Sequence, residues 1–234
     1  SLKQIDITDS VKELSFFSFA ECSSLSKFLI PSSIELIELN LFFKCSLLTE
    51  ISIPASVKTI SLFAFKKCFM LSKINFGNPS SLKIIEDNAF EECKSLSKII
   101  IPNSVEYIGN FVFKECLKLD EITFPSSLID MGHSILDGCS INIKINFFSN
   151  NSNINSLNYI DCKSLTQIII PSSVKNINSY SFDNFKNLKQ VNFAFNSSLL
   201  KIDCFQRCSS LTEIEIPSSV KIIGSDAFNE CTLL

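Results

Sequence analysis

The chain has 234 residues, a formal net charge of −3 and 46% apolar residues, which is ample for a folded core. This mildly acidic balance gives no reason to expect a nucleic acid or an anionic membrane as partner, because both attract basic surfaces. Wholly apolar runs are only a few residues long, as at 99–101, and fall far short of the roughly 20 residues of a transmembrane helix. The composition is unusual in its 22 Phe and 10 Cys, with no Trp and only 5 Gly.

The cysteines mark an internal repeat. Successive members are 23 residues apart, except for a 25-residue step after Cys68 and a 46-residue step after Cys162. Phe185 takes the skipped position, and Gly77-Asn78 is a two-residue insert. All 7 prolines keep the same period and show the insert at the same place, so the chain is a repeat array. The series consists of Cys22, Cys45, Cys68, Cys93, Cys116, Cys139, Cys162, Cys208 and Cys231.

Each unit follows the pattern C-x2-L-x2-I-x-I-P-S-S-V-x2-I-x4-F-x2. Its first part alternates like a strand, with the two Ile on one side and the residue between them on the other. Proline then ends the strand and the two serines form a turn. The V-x2-I and Phe segments return the chain along the opposite side, and we expect Pro and Ser to supply the corners in place of Gly. One unit buries its apolar residues only against neighbouring units, which predicts a stacked solenoid.

The most complete unit, at 214–231, reads I-x-I-P-S-S-V-x2-I-G-x2-A-F-x2-C. It resembles the BspA-like, Treponema-type class of leucine-rich repeats. The resemblance covers essentially the whole chain, although the glycine of the pattern survives only at Gly109, Gly132 and Gly224. Members of this family look like surface proteins of host-associated bacteria and parasitic protists, similar to adhesins that bind matrix or host proteins. The high Asn, Lys, Ile and Phe content favours an AT-rich genome, as in a protist.

We therefore expect a leucine-rich-repeat solenoid, horseshoe-like or gently curved, with a parallel β-sheet of short strands on its concave face. The convex side is expected to hold 3-10 turns and loops, with little α-helix. A single solenoid of about ten repeats is predicted over 1–234, with irregular units near 139–161 and 194–207. Because neither end of the array carries a polar cap, the chain is interpreted as a fragment of a longer array.

The periodic cysteines are expected to stack as a ladder of buried free thiols. Such stacking suits small apolar side chains better than the strict torsion of a disulfide. Cys204 stands outside the series, and it is either a core substitution or part of a local disulfide. Because the chain lacks Cys-x2-Cys and has one histidine, His133, neither a zinc site nor any other cofactor is expected. His133 is interpreted as a turn residue without a nucleophilic partner, so an enzyme is not expected.

Two glycosylation sequons occur, at Asn150 and Asn196, both in irregular units. Chance is the competing explanation, since Ser and Asn are abundant throughout the chain.

Binding residues are expected where the repeat leaves the residue type free. Two positions per strand point outward and should form two parallel rows on the concave sheet. Ile100 would centre a contact patch, and the alternative is a sheet that tolerates a stray β-branched residue. The candidate residues are Lys27, Leu29, Glu50, Lys73, Asn75, Lys98, Ile100, Glu121, Thr123 and Ile169.

The sequence thus predicts a protein-binding scaffold, with two alternatives for its setting. The first is a surface or secreted adhesion module whose partners are host or matrix proteins. The second is a cytoplasmic or cytoskeletal scaffold that binds neighbouring subunits of a larger assembly. Neither nucleic acid nor a membrane span in this segment is part of either hypothesis.

Overall fold

The computed structural model describes residues 2–140, 143–147, 165–172, 174–177, 179 and 181–234. Within these residues the regular structure consists of short β-strands that pair only in parallel, and there is no helix. Each strand pairs with a strand from a neighbouring coil, where a coil is the stretch from one Cys position to the next. The predicted leucine-rich-repeat solenoid is confirmed.

The L-x2-I-x-I segments form what we call the long-strand sheet. Its strands alternate between an exposed and a buried side chain, so that the Ile residues enter the core. Partners lie one repeat apart, as in the pairing of Glu50 with Lys73. The strands are β2 (Glu50–Ile53), β4 (Lys73–Phe76), β6 (Lys98–Ile100), β8 (Glu121–Phe124), β10 (Lys144–Phe147), β11 (Gln167–Ile170), β12 (Gln190–Phe193) and β14 (Glu213–Ile214).

The return segments form a second parallel sheet, the short-strand sheet, which the sequence interpretation did not foresee. Two residues of the V-x2-I segment pair in parallel with the equivalent residues of a neighbouring coil. The side opposite the long strands therefore contains short paired strands as well as turns. The strands are β1 (Leu36–Ile37), β3 (Thr59–Ile60), β5 (Ile84–Ile85), β7 (Tyr107–Ile108), β9 (Asp130–Met131), β13 (Lys201–Ile202) and β15 (Ile222–Ile223).

The P-S-S-V turn between the two sheets is closed by hydrogen bonds within and between coils. The Val57 N–H donates to the Pro54 carbonyl at 3.2 Å, which closes a four-residue turn. The Ser56 hydroxyl donates to the Ile34 carbonyl of the preceding coil at 2.7 Å. The second serine of the turn therefore links adjacent coils by a hydrogen bond.

The Phe segment runs from the end of the short strand to the Cys position. Its backbone N–H groups donate alternately to carbonyls of the same coil and to carbonyls of the next coil. Leu41, Phe43 and Cys45 donate to the carbonyl three residues earlier, as in 3-10 turns. Asn40, Phe42 and Lys44 donate to carbonyls of the next coil. Left-handed residues, with φ of 55° at Asn40 and 57° at Lys44, separate the turns and prevent a continuous helix.

The corners therefore depend on more than Pro and Ser. In most described coils two residues are left-handed, the one directly before the Cys position and the one five residues before the Cys position. Among the described residues with positive φ, Gly138 is the one glycine. Non-glycine residues seldom adopt this conformation. The surrounding ladder of hydrogen bonds holds them there, which explains how the chain folds with few glycines.

Leu, Ile, Phe and Cys rows fill the space between the two sheets. The Phe rings stack on one another, with centroids 5.2 Å apart and planes 12° apart between Phe42 and Phe65. The same stacking joins Phe65 to Phe90 and Phe182 to Phe205. Leu136 takes the ring position in one coil and is fully buried there.

Two turns are longer by two residues and resemble each other in sequence, FGNPSSL at 76–82 and FAFNSSL at 193–199. Within residues 2–140, β4 pairs with β2 but not with β6, although the two strands lie side by side. The long-strand sheet is thus interrupted between β4, which leads into the first extended turn, and β6 of the next coil.

Candidate protein-binding face

The outer side of the long-strand sheet carries two parallel rows of side chains, which together we call the long-strand face. In the first row the side chains are charged or amides, and in the second they are mixed. The first row runs Lys27, Glu50, Lys73, Lys98, Glu121, Lys144, Gln167, Gln190 and Glu213. The second runs Leu29, Ser52, Asn75, Ile100, Thr123, Asn146, Ile169, Asn192 and Glu215.

The charged side chains of the first row pair along the solenoid axis. Lys73 Nζ lies 3.0 Å from Glu50 Oε1, and Lys98 Nζ lies 2.8 Å from Glu121 Oε2. The hydrogen bond from Lys73, followed by that from Asn75, holds the pKa of Glu50 below its usual value. The hydrogen bond from Lys98 lowers the pKa of Glu121 in the same way. Both carboxylates are therefore anionic near neutral pH, and the row is a chain of exposed ion pairs.

The apolar residues of the second row do not form one patch. Leu29, Ile100 and Ile169 have 67%, 51% and 44% of their surface exposed. Leu29 bridges to Ser52, and Ile169 pairs with Asn192, so each is flanked by polar residues. Ile100 pairs with Thr123, and it lies beside the break between β4 and β6.

That break opens a cleft of about 1010 Å³ between β4 and β6, which the sequence analysis did not predict. Lys73, Asn75 and Ile100 line it together with core residues. Ile74 and Phe76 are half-buried here, whereas Ile51 and Ile53 in the preceding coil are fully buried. The Gly77-Asn78 insert is the sequence signal for the cleft, but the insert alone does not predict that β4 and β6 fail to pair.

The second extended turn opens a similar but smaller cleft of about 500 Å³ beside β12 and β14. Phe193, Phe195 and Glu215 line it. Asn196, one of the two sequon asparagines, lies on its rim in a left-handed, exposed conformation. Asn150, the other sequon asparagine, lies outside the described residues, as does Cys162.

The nine cysteines that the structure describes are free thiols, and most are buried. The Cys45 thiol donates a hydrogen bond to the Phe19 carbonyl of the preceding coil at 3.1 Å. Burial raises the pKa of the Cys45 thiol to about 12 and that of Cys208 to about 12. Cys204 is fully buried beside Phe205. Such thiols are protonated, and hence poor nucleophiles and metal ligands.

His133 is exposed at the Phe segment, away from the long-strand face. Its backbone N–H donates to Asn110 Oδ1 at 3.0 Å, and its ring meets the edge of Phe111 with centroids 4.8 Å apart. No grouping of three or more His, Cys, Asp or Glu side chains that would hold a metal ion occurs in the described part of the chain.

Comparison with protein families settles the relationship of the chain. The model of the BspA-type leucine-rich repeat region matches residues 1–84, 83–210 and 152–234, in 6 copies. The chain belongs to the BspA-type leucine-rich repeat family. This BspA-type array is a repeat scaffold of a kind that typically binds proteins. A comparison with curated proteins gave no match.

Several solved structures of leucine-rich repeat proteins are similar to this BspA-type chain. A leucine-rich repeat protein of T. pallidum is 23% identical, with 86% of this chain and 72% of the other covered and a TM-score of 0.47. A leucine-rich cell surface protein of Faecalibacterium prausnitzii is 20% identical, with 98% and 82% covered and a TM-score of 0.41. Within the residues described for this chain, no helix has the length and apolar character to cross a bilayer.

Proposed function

We propose that this chain binds a partner protein on the long-strand face and acts as a surface or secreted adhesion module. The observation that carries the proposal is the contrast between the two sides of the long strands. The inward positions are held to Ile, Val or Phe by packing, whereas the outward positions vary in charge, polarity and size. Variation that the coil does not require is typical of a recognition surface.

The middle of the face has the composition of an interface centre. Ile100 is half exposed among Asn75, Thr123, Lys98 and Glu121, which gives an apolar anchor within a polar rim. The setting at the cell surface follows the adhesins that the repeat motif resembles.

The proposal is tested by comparing two charge insertions that differ in place. Ile100→Glu puts a charge at the centre of the long-strand face, and Ile129→Glu puts one on the outer side of the short-strand sheet, where Ile129 is 70% exposed. Each variant and the parent chain are titrated against immobilised matrix proteins and used to capture proteins from a cell extract. Loss of a bound partner with Ile100→Glu and its retention with Ile129→Glu are expected.

The titration against matrix proteins and the capture from a cell extract distinguish an adhesion module from an intracellular scaffold. A partner found among the matrix proteins supports the adhesion module. A partner found only in the cell extract, with the same dependence on Ile100, supports the intracellular scaffold instead. Equal binding by both variants would contradict the use of this face.

A further inference from the structure

The charges of the first row fall into two matching triplets that meet at the break in the sheet. Glu50 lies between Lys27 and Lys73, and both lysines lower its pKa. Glu121 lies in the same way between Lys98 and Lys144. Lys73 and Lys98 are consecutive in the row with no acid between them, and they line the same cleft. No acid of the row lies between these two lysines, and each is paired with the glutamate on its other side.

The cleft also presents apolar surface and unpaired backbone. In the coils of β2, β6, β8 and β11 the two inward residues of the long strand are buried, but Ile74 and Phe76 of β4 are partly exposed to the cleft. Since β4 and β6 do not pair, the facing edges of these two strands carry N–H and C=O groups that the sheet does not use. Open strand edges are sites where an extended peptide docks in many complexes.

A hydroxyl without a partner lies beside the cleft. Ser104 is one of the cleft residues, and its Oγ is buried and has no hydrogen-bond partner among the residues that the structure describes. The equivalent Ser56 and Ser127 each donate to a carbonyl of the preceding coil. The extended turn precedes the coil of Ser104, and the usual bond is not made there. A buried hydroxyl without a partner is costly, and an acceptor from a ligand would remove that cost.

We propose that the cleft between β4 and β6 takes an extended segment of the partner protein in which an acidic side chain neighbours an apolar one. The carboxylate lies between Lys73 Nζ and Lys98 Nζ, and the apolar side chain packs against Ile74 and Phe76. A main-chain carbonyl of the segment accepts the hydrogen bond of Ser104. The inference rests on the proposed function for the nature of the partner, and it adds the place and the chemistry of recognition.

The second cleft provides a contrast within the same molecule. It has the same extended turn, and the buried Ser219 Oγ of the following coil likewise has no partner among the described residues. At the positions of Lys73 and Lys98, however, this junction has Gln190 and Glu213. It offers an apolar opening without cations, so an acidic segment is expected to avoid it.

The probe for this inference is an acetylated and amidated hexapeptide that alternates glutamate with isoleucine. Control peptides replace each glutamate by glutamine or each isoleucine by serine. Binding is followed by backbone amide shifts in NMR spectra and by calorimetry. We expect shifts at 72–80 and 97–104 and none at 191–197, with binding at least about tenfold weaker for each control peptide.

Two double variants test the position of the charges. Lys73→Gln with Lys98→Gln removes the pair at the cleft, and Lys58→Gln with Lys83→Gln removes two exposed lysines beside the short-strand sheet, away from the long-strand face. Both change the net charge equally and alter exposed side chains, so overall folding is checked by thermal melting. The first should weaken binding at least about tenfold and the second less than about threefold. In addition, Ser104→Ala should weaken peptide binding, whereas Ser56→Ala should not.

Several outcomes would overturn the inference. Equal weakening by the two double variants would show nonspecific attraction, and amide shifts at the second cleft would show that the lysines do not select the site. A protein partner that is lost with Ile100→Glu but retained by the Lys73 and Lys98 double variant would refute the cleft and leave the proposed function intact. Conversely, peptide binding at the cleft with partner capture unaffected by Ile100→Glu would refute the proposed function but not the ligand class.

Discussion

The thiol of Cys68 donates a hydrogen bond to the carbonyl oxygen of Phe42 in the preceding coil, at an Sγ–O distance of 3.1 Å. The same carbonyl accepts the N–H of Cys45 at 3.1 Å, so it joins two coils. The relationship recurs between Cys116 and Phe90 and between Cys208 and Phe182. The periodic cysteine is therefore a small apolar residue that also closes a polar contact.

Replacing this thiol in the middle of the array should destabilise the fold. Cys68→Ala removes the hydrogen bond and leaves a small void at a fully buried position. We expect the free energy of unfolding to fall by about 2 kcal/mol, measured by urea titration. Cys22→Ala is the matched control, because Cys22 is partly exposed in an early coil, and it should cost less than half as much. Equal losses would contradict a role for stacked burial.

Alkaline pH should destabilise the protein through the same thiols. Burial raises the pKa of Cys45 to about 12 and that of Cys68 well above its usual value. In the unfolded chain a thiol loses its proton near pH 8.5, so the folded state binds more protons above that pH. The stability is thus fully present below about pH 8.5 and is lost as pH rises towards the folded pKa, by roughly 1 kcal/mol per pH unit for each such thiol.

The dependence of the unfolding free energy on pH distinguishes the titration of buried thiols from that of other groups at alkaline pH. Urea titrations between pH 8 and 10 should give a shallower slope for Cys68→Ala than for the parent chain. Val57→Ala removes a buried side chain from the same coil without removing a thiol, so it should lower stability and leave the slope unchanged. A slope that is identical in all three proteins would mean that the buried thiols titrate normally.

The two partly buried serines of equivalent turns, Ser56 and Ser104, should respond differently to truncation. Ser56→Ala removes a 2.7 Å hydrogen bond to the Ile34 carbonyl and should cost about 1 kcal/mol of unfolding free energy. Ser104→Ala removes a buried hydroxyl that has no partner in the described structure, so it should be neutral or stabilising. Thermal melting of the two variants without ligand makes the comparison. A similar loss from both would show that Ser104 finds a partner in solution.

Replacing a left-handed residue of the Phe segment by asparagine should stabilise the folded protein. Phe17 is exposed with φ of 60°, and asparagine adopts this conformation more readily than phenylalanine does. Phe17→Asn should therefore stabilise the protein by about 0.5–1 kcal/mol. Its neighbour Phe16 is also exposed but has no positive φ, so Phe16→Asn should give no gain in the same urea titration. A gain from both would instead reflect relief of exposed apolar surface.

The spacing of Cys and Pro was sufficient to predict the stacking of the coils. With a fixed period, residues of the same type as Leu48, Ile51 and Phe65 recur at equivalent positions of successive coils. Burial of these positions in a shared core explains why the residue type is kept. The short-strand sheet was missed because two residues per coil carry too little alternation to be read as a strand. The left-handed corners were missed because residues such as Phe17 and Lys44 give no sign of their backbone angle.

The candidate site was predicted in part. Alternation along the strands identified which side chains face outward, since inward and outward positions differ by one residue. It did not show that Lys73 and Lys98 border a cleft, because that depends on whether two strands pair after an insertion. The unpaired hydroxyl of Ser104 was equally hidden, since its sequence context matches that of Ser56.

The alternating N–H groups of the Phe segment all run in one direction along the axis. Phe42 donates forward to Ala64, Phe65 to Ala89 and Phe90 to Val112. In this segment a cut between two coils therefore exposes amide hydrogens on the earlier coil and carbonyl oxygens on the later one. Other segments run the opposite way, as from the Ser61 N–H to the Ile37 carbonyl and from the Gly77 N–H to the Ile53 carbonyl. Each cut surface thus carries donors at one segment and acceptors at another, so a further coil matches it only when its chain runs in the same direction.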